Sequence, residues 1–125
     1  MTPDEAIAAL AGSFDEVEPL VGGTWQKLDD PAPRACEQPG GQPGIRFNAY
    51  RFSEEPVADR QHAFDLVSAH WHSLGYALTS REETVAAPIL RLFATTPDGR
   101  NLQFSAADAA LTLEGLSACV TDPAA

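Results

Sequence analysis

Cys36 and Cys119 are the residues whose chemistry the sequence states most directly. They are the two cysteines of a 125-residue chain and stand 83 positions apart. The second lies in Leu116-Ser117-Ala118-Cys119-Val120, close to the end. Neither has a CxxC or CxxH neighbour, so a metal site or a dithiol redox motif is not indicated. A lone, widely spaced pair suggests one staple between the C-terminal segment and an early loop. It also suggests an oxidising compartment, because disulfides persist outside the reducing cytosol. Closing a loop of this length is worth roughly 4–5 kcal/mol at most in polymer-loop terms. The alternative is two buried free thiols in a cytosolic protein. A catalytic role for Cys36 is disfavoured by the adjacent Glu37, since a reactive thiolate needs an electropositive setting.

The other groups that could do chemistry do not converge in the sequence. His62, His70 and His72 fall on one helix. His70 and His72 point about 200° apart at roughly 100° per residue, and His62 is too far from His70 along the axis to share an ion. A structural metal site wants four clustered ligands. There is no Gly-x-Ser-x-Gly elbow for a serine nucleophile. The adjacent carboxylates Asp29-Asp30, Glu54-Glu55 and Glu82-Glu83 read as solvated turns, whereas hydrolytic acid–base work needs two carboxyls facing each other across a cleft. Gly40-Gly41 lacks the Lys-Ser/Thr of a phosphate-binding loop. No catalytic residue, no metal ligand and no cofactor is therefore expected. Of the aromatics, Trp71 belongs to a helix stripe and hence to the core. Trp25, Tyr50 and Phe52 remain as a candidate partner patch.

Charge narrows the partners. The chain has 18 acidic and 8 basic residues and a net charge of −10. Lys27 is its one lysine. Without a basic stripe, nucleic-acid binding by phosphate neutralisation is disfavoured, and so is an anionic membrane surface. No apolar run approaches the ~18 residues of a transmembrane helix. The start, Met1-Thr2-Pro3-Asp4-Glu5, is acidic and lacks a signal-peptide pattern. This predicts either a cytoplasmic protein or a mature exported domain that has lost its leader.

At this length one domain over residues 1–125 is expected, with a core that needs no metal. Thr2-Pro3-Asp4-Glu5 is a capping box with proline in the first turn. Ile7, Leu10, Phe14, Val17 and Val21 then recur at helical spacing, and Pro19 and Gly22-Gly23 limit the helix. Residues 24–28 suggest a short strand. Residues 29–44, with four prolines and three glycines, read as a long loop holding Cys36. Residues 45–52 form a strand with Ile45, Phe47 and Ala49 on one face and Arg46, Asn48 and Tyr50 on the other. Asp59 caps a second helix bearing Phe64, Val67, Trp71 and Leu74, stopped by Gly75. Residues 76–80 can extend as a short strand. Strands over 89–95, 102–106 and 111–114 then form a meander, its first turn being Thr96-Pro97-Asp98-Gly99-Arg100. Residues 121–125 read as a frayed tail. The expected class is α+β, with two helices packed on one face of an antiparallel sheet of four or more strands, in the order helix, strand, helix, three-stranded meander.

Several of these features together carry a resemblance. A Trp follows a Gly pair, a Cys lies in a Pro/Gly loop, and a helix ends in Trp71-His72-Ser73-Leu74-Gly75-Tyr76. A Pro-Asp-Gly-Arg hairpin and a terminal Leu-Ser-Ala-Cys-Val follow. The chain resembles the small lipoprotein and secreted domains of unknown function from high-GC actinobacteria. The resemblance implies export and a Cys36–Cys119 bond, and it implies no activity. It departs at the start, where neither a signal peptide nor a lipidated cysteine stands. Membrane association would then need a lipid anchor absent from this chain. The functional expectation is a non-enzymatic exported or cell-envelope domain binding a protein or a small ligand. A cytosolic acidic interaction protein of the immunity-inhibitor type is the alternative, and an enzyme with a loop-assembled site is the third.

Overall fold

The computed structural model describes residues 1–84 and 86–124. Among them the chain forms two helices and seven strands, an α+β fold. They run α1 (Pro3–Val21), β1 (Gln26–Lys27), β2 (Asp30–Glu37), β3 (Pro43–Ser53), α2 (Arg60–Ser73), β4 (Ala77–Thr84), β5 (Pro88–Thr95), β6 (Asn101–Ala106) and β7 (Leu111–Leu116). All pairings are antiparallel, in the order β1-β3-β7-β6-β5-β4, with β2 also on β3. No described helix is long and apolar enough to cross a membrane.

Both helix starts follow their capping chemistry. The Thr2 hydroxyl accepts the Glu5 N–H at 3.1 Å, and the Glu5 carboxylate accepts the Thr2 N–H at 2.9 Å. The Asp59 carboxylate accepts the His62 N–H at 3.0 Å. Gly22 and Gly75, both at positive φ, close the two helices. The buried face of α1 is Ala6, Leu10, Ser13, Phe14 and Val17. Ile7, expected on that stripe, turns outward and is 37% exposed. On α2 the buried face is Ala63, Val67 and Trp71. Leu74, past the last turn, is 43% exposed.

Both helices pack on the same side of the sheet. Alternation along β3 turns Phe47, Ala49, Arg51 and Ser53 toward them, and all four are buried. Cross-strand register extends this into rows, one running Arg51, Leu113, Phe104, Leu92 and another Ala49, Gly115, Leu102, Ala94. Gly115 lets α1 come close. A Cβ there would lie 3.2 Å from the Phe14 ring, 3.3 Å from Leu10 and 2.6 Å from the Asn101 carbonyl. Core packing of this kind is the main favourable term, on the order of 1.5–3 kcal/mol per buried large side chain.

The expected loop over residues 29–44 is largely strand. Its first half is β2, which pairs with β3 through Ala35↔Ile45 and Cys36↔Gly44. Pro31 and Pro33 are tolerated because β2 is an outer strand with an irregularity between Asp30 and Arg34, where a missing N–H breaks no ladder bond. Outside the strands lie Asp29 and the turn over residues 38–42, with Gly40 and Gly41 at positive φ. The short strand expected over residues 76–80 is β4, which starts at Ala77, runs eight residues and pairs with β5, so the meander has four strands where three were expected. In the tail, Thr121 meets Gln38 at 3.3 Å, and Ala125 lies outside the described residues.

Candidate functional site

The side of the sheet away from the helices carries the alternate residues of every strand. On β3 these are Arg46, Asn48, Tyr50 and Phe52. Register places Tyr50 opposite Glu114, Glu114 opposite Gln103, and Gln103 opposite Phe93. One row across four strands thus has an aromatic ring at each end and a carboxylate and an amide between. At a strand spacing of ~4.8 Å the two rings stand about 14 Å apart. Asn48, Leu116 and Asn101 form the next row. Together these residues line a cleft of about 400 Å³. Tyr50 is 36% exposed, and its ring centroid lies 5.9 Å from that of Phe52.

The far wall is held by charge. Arg81 lies over the Phe93 ring at 5.0 Å and pairs with Glu83 at 2.5 Å. Arg91 bonds Glu83 at 3.0 Å and the Ser105 hydroxyl at 3.0 Å. The hydrogen bond from Arg91 and the charges of both arginines keep the Glu83 carboxyl below its usual range, against the opposing effect of burial. At the other end, Arg34 and Arg46 face each other across β2 and β3. Arg34 donates to Asp30 at 3.4 Å, and with the Asn48 amide oxygen turned toward it, also to Asn48 through two bonds of 3.1 Å. Arg46 Nε is buried and has no acceptor among the described residues.

The sequence patch divides. Tyr50 and Phe52 stand together on the open face. Trp25 packs against the core on the helix side, and its indole N–H donates to the Gly22 carbonyl at 3.0 Å. Cys36 and Cys119 come together, with sulfurs 2.09 Å and Cα atoms 6.1 Å apart. The histidines stay dispersed along α2, where His70 meets Glu16 of α1 at 3.2 Å. No cluster of three or more His, Cys, Asp or Glu suited to a metal occurs among the described residues. Phe93, Gln103 and Glu114 were not among the residues expected at a site. Their signal is the period-two alternation of β5, β6 and β7, in which Phe93 is a large aromatic on the face that should be polar.

No family model matches the chain, and no curated protein matches it. Among solved structures it is similar to a DUF4853 family protein from Actinomyces odontolyticus ATCC 17982, an actinobacterium, with a TM-score of 0.69 and 14% identity. The likeness covers 94% of this chain and 65% of that one. At this identity it shows the fold.

Proposed function

We propose that the protein is an exported or cell-envelope domain that binds a small ligand, without transforming it, on the sheet face opposite the helices. One observation carries this reading: Tyr50 and Phe93 flank a floor of Glu114 and Gln103 on the face that neither described helix covers. Small-molecule sites combine a few aromatic or apolar surfaces with a few placed polar groups, in volumes of roughly 300–1,000 Å³, and the cleft of about 400 Å³ is of that kind. The export half of the reading is supported by the cysteines at bonding distance, given where disulfides persist. The actinobacterial source of the structural neighbour agrees with the resemblance to lipoprotein and secreted domains of that group.

A fragment screen on ¹⁵N-labelled protein tests the ligand face. Binding fragments are expected to shift the amides of Tyr50, Phe93, Gln103 and Glu114 together, and Tyr50→Ala is expected to weaken them. Shifts gathered instead around Gly23, Asp59 and His62, which line a second cleft of about 240 Å³, would sink the reading.

A further inference from the structure

We infer that the ligand of the open face is a small primary amine with an apolar body, its ammonium held between the Glu114 carboxylate and the Tyr50 ring. The inference deepens the ligand-face reading above and rests on it.

The charge of the cleft points to a cation. Of the described residues that line it, Glu114 is the one that carries a charge. Glu114 is exposed and has no basic partner at salt-bridge distance among the described residues. Gln103, directly opposite Glu114, donates its amide N–H to the Ser105 hydroxyl at 3.3 Å, which leaves its carbonyl oxygen to accept. Two acceptors thus stand on neighbouring strands, and an ammonium brings three donors and the opposite charge. The net charge of −10 draws cations to the molecule and repels anions.

The ring supplies the second contact. Tyr50 stands directly opposite Glu114 on the other side, and side chains so paired have Cβ atoms about 5 Å apart. A cation on the carboxylate is then within the ~6 Å range at which a ring face attracts it. The chain makes this contact itself, with Arg51 over Phe14, Arg81 over Phe93 and Arg100 over Tyr76. Tyr50, the other tyrosine, carries no such cation among the described residues. At the far end of the row Arg81 already lies over Phe93, and its charge is matched by Glu83. The open position is therefore the one at Tyr50.

Reach sets the body of the ligand. Leu116 stands two residues beyond Glu114 on the same face of β7 and lines the same cleft. At the rise of a strand it is about 7 Å away. An amine whose apolar group begins two or three bonds from the nitrogen spans that distance, with its ammonium on Glu114 and its body on Leu116.

Phenethylamine, its neutral analogue 2-phenylethanol and its anionic analogue 3-phenylpropanoate, titrated near neutral pH and followed by ¹⁵N spectra, separate the cases. Phenethylamine is expected to bind at least about tenfold tighter than the alcohol, the scale of one charge-assisted bond, with the propanoate weakest. It should shift the amides of Tyr50, Gln103, Glu114 and Leu116 together. Glu114→Gln should remove the preference for the amine. Tyr50→Phe should keep most of it, because the ring face remains. A preference that survives Glu114→Gln would belong to the net charge of the whole molecule and would overturn the inference. Equal affinity for amine and alcohol would overturn it as well, and either result leaves the ligand face standing. Methylammonium binding as tightly as phenethylamine would overturn the apolar body. A tripeptide with phenylalanine at its free amino end, binding tenfold tighter than phenethylamine, would overturn the small amine in favour of a chain N-terminus. Silence of the face toward all these probes at millimolar concentration would overturn the inference, with the fragment screen deciding the ligand face independently.

Discussion

A Cβ on Gly44 would stand 2.8 Å from Cys119 Sγ. Gly44 pairs with Cys36 on one side of β3. On the other side its neighbour Ile45 exchanges backbone bonds with Val120, at 2.8 and 2.9 Å. The two cysteines thus meet over the bare backbone of the strand between them. The staple expected from an early loop in fact ties an outer strand to the segment after β7.

Gly44→Ala should therefore destabilise the protein. Besides Cys119 Sγ, the added methyl meets the Val120 carbonyl at 2.6 Å, and backbone cannot rotate away as a long side chain can. Overpacking of this kind costs about 1–3 kcal/mol. Urea unfolding checks it, and an unchanged midpoint would show that the tail yields freely.

The cysteine pair gives the second prediction. Alkylation of denatured, unreduced protein should label no thiol, and two labels would refute the bond. Replacing both cysteines with alanine should lower stability by up to roughly 4–5 kcal/mol, less whatever structure the unfolded chain keeps. Reductant should lower the melting temperature of the parent protein and leave that of the double variant unchanged.

Much of this architecture is legible in the chain because it rests on local chemistry. The Thr2–Glu5 box, the Asp59 cap and the Gly75 stop are short-range signals, and period-two alternation gives β3 and the meander. β2 escaped because its prolines announce a loop, while its pairing is decided by tertiary neighbours at an outer edge, where a missing N–H costs little. Ile7 misplaced the α1 stripe by one position because Ala6, small and weakly apolar, contributes little to a periodicity count although it is fully buried. The candidate site was half legible. Tyr50 and Phe52 could be read from β3 alone, whereas Phe93, Gln103 and Glu114 acquire meaning only through register across three other strands.

Arg51 supplies the third prediction. It sits on the helix side of β3, 2% exposed, over the Phe14 ring at 5.6 Å. It pairs with Asp15 at 2.6 Å, Glu18 at 2.6 Å and Asp29 at 3.1 Å. Burial works against its charge, but these three carboxylates outweigh that and raise its pKa further above its already high ordinary value. Arg51→Ala removes the common partner and leaves a cavity beneath α1, and should cost about 3–5 kcal/mol. Asp15→Ala should cost less than about 1 kcal/mol, because that carboxylate is 56% exposed and water screens it. Equal losses for the two variants in chemical denaturation would mean that the cluster is a surface network.

Arg100 and Asp98 make stability depend on acid. Arg100 Nε donates to Asp98 at 2.9 Å, and the Thr96 hydroxyl donates to the same carboxylate. The other end of the Arg100 guanidinium reaches the Ser13 hydroxyl, the Ala9 carbonyl at 3.2 Å and the Tyr76 hydroxyl at 3.3 Å. The β5–β6 turn is thereby fastened to α1 and to the start of β4. Burial pushes the Asp98 carboxyl up, but the bonds from Thr96 and Arg100 and the Arg100 charge outweigh it, so the folded-state value lies below the ordinary 3.8. A depressed folded-state pKa means that the unfolded chain binds more protons across that interval, so stability there rises with pH. The contribution of Asp98 is thus complete above about pH 3.8 and is lost as pH falls below it through the folded-state value. Asp98→Asn should cost about 1 kcal/mol or less near neutrality, because the carboxylate is partly solvated. The difference in urea midpoint between parent and variant should shrink on acidification below that point. Other carboxylates titrate in both proteins and cancel in that difference. A difference constant from neutral pH down to the acid limit would show that the Asp98 charge does not fasten the turn.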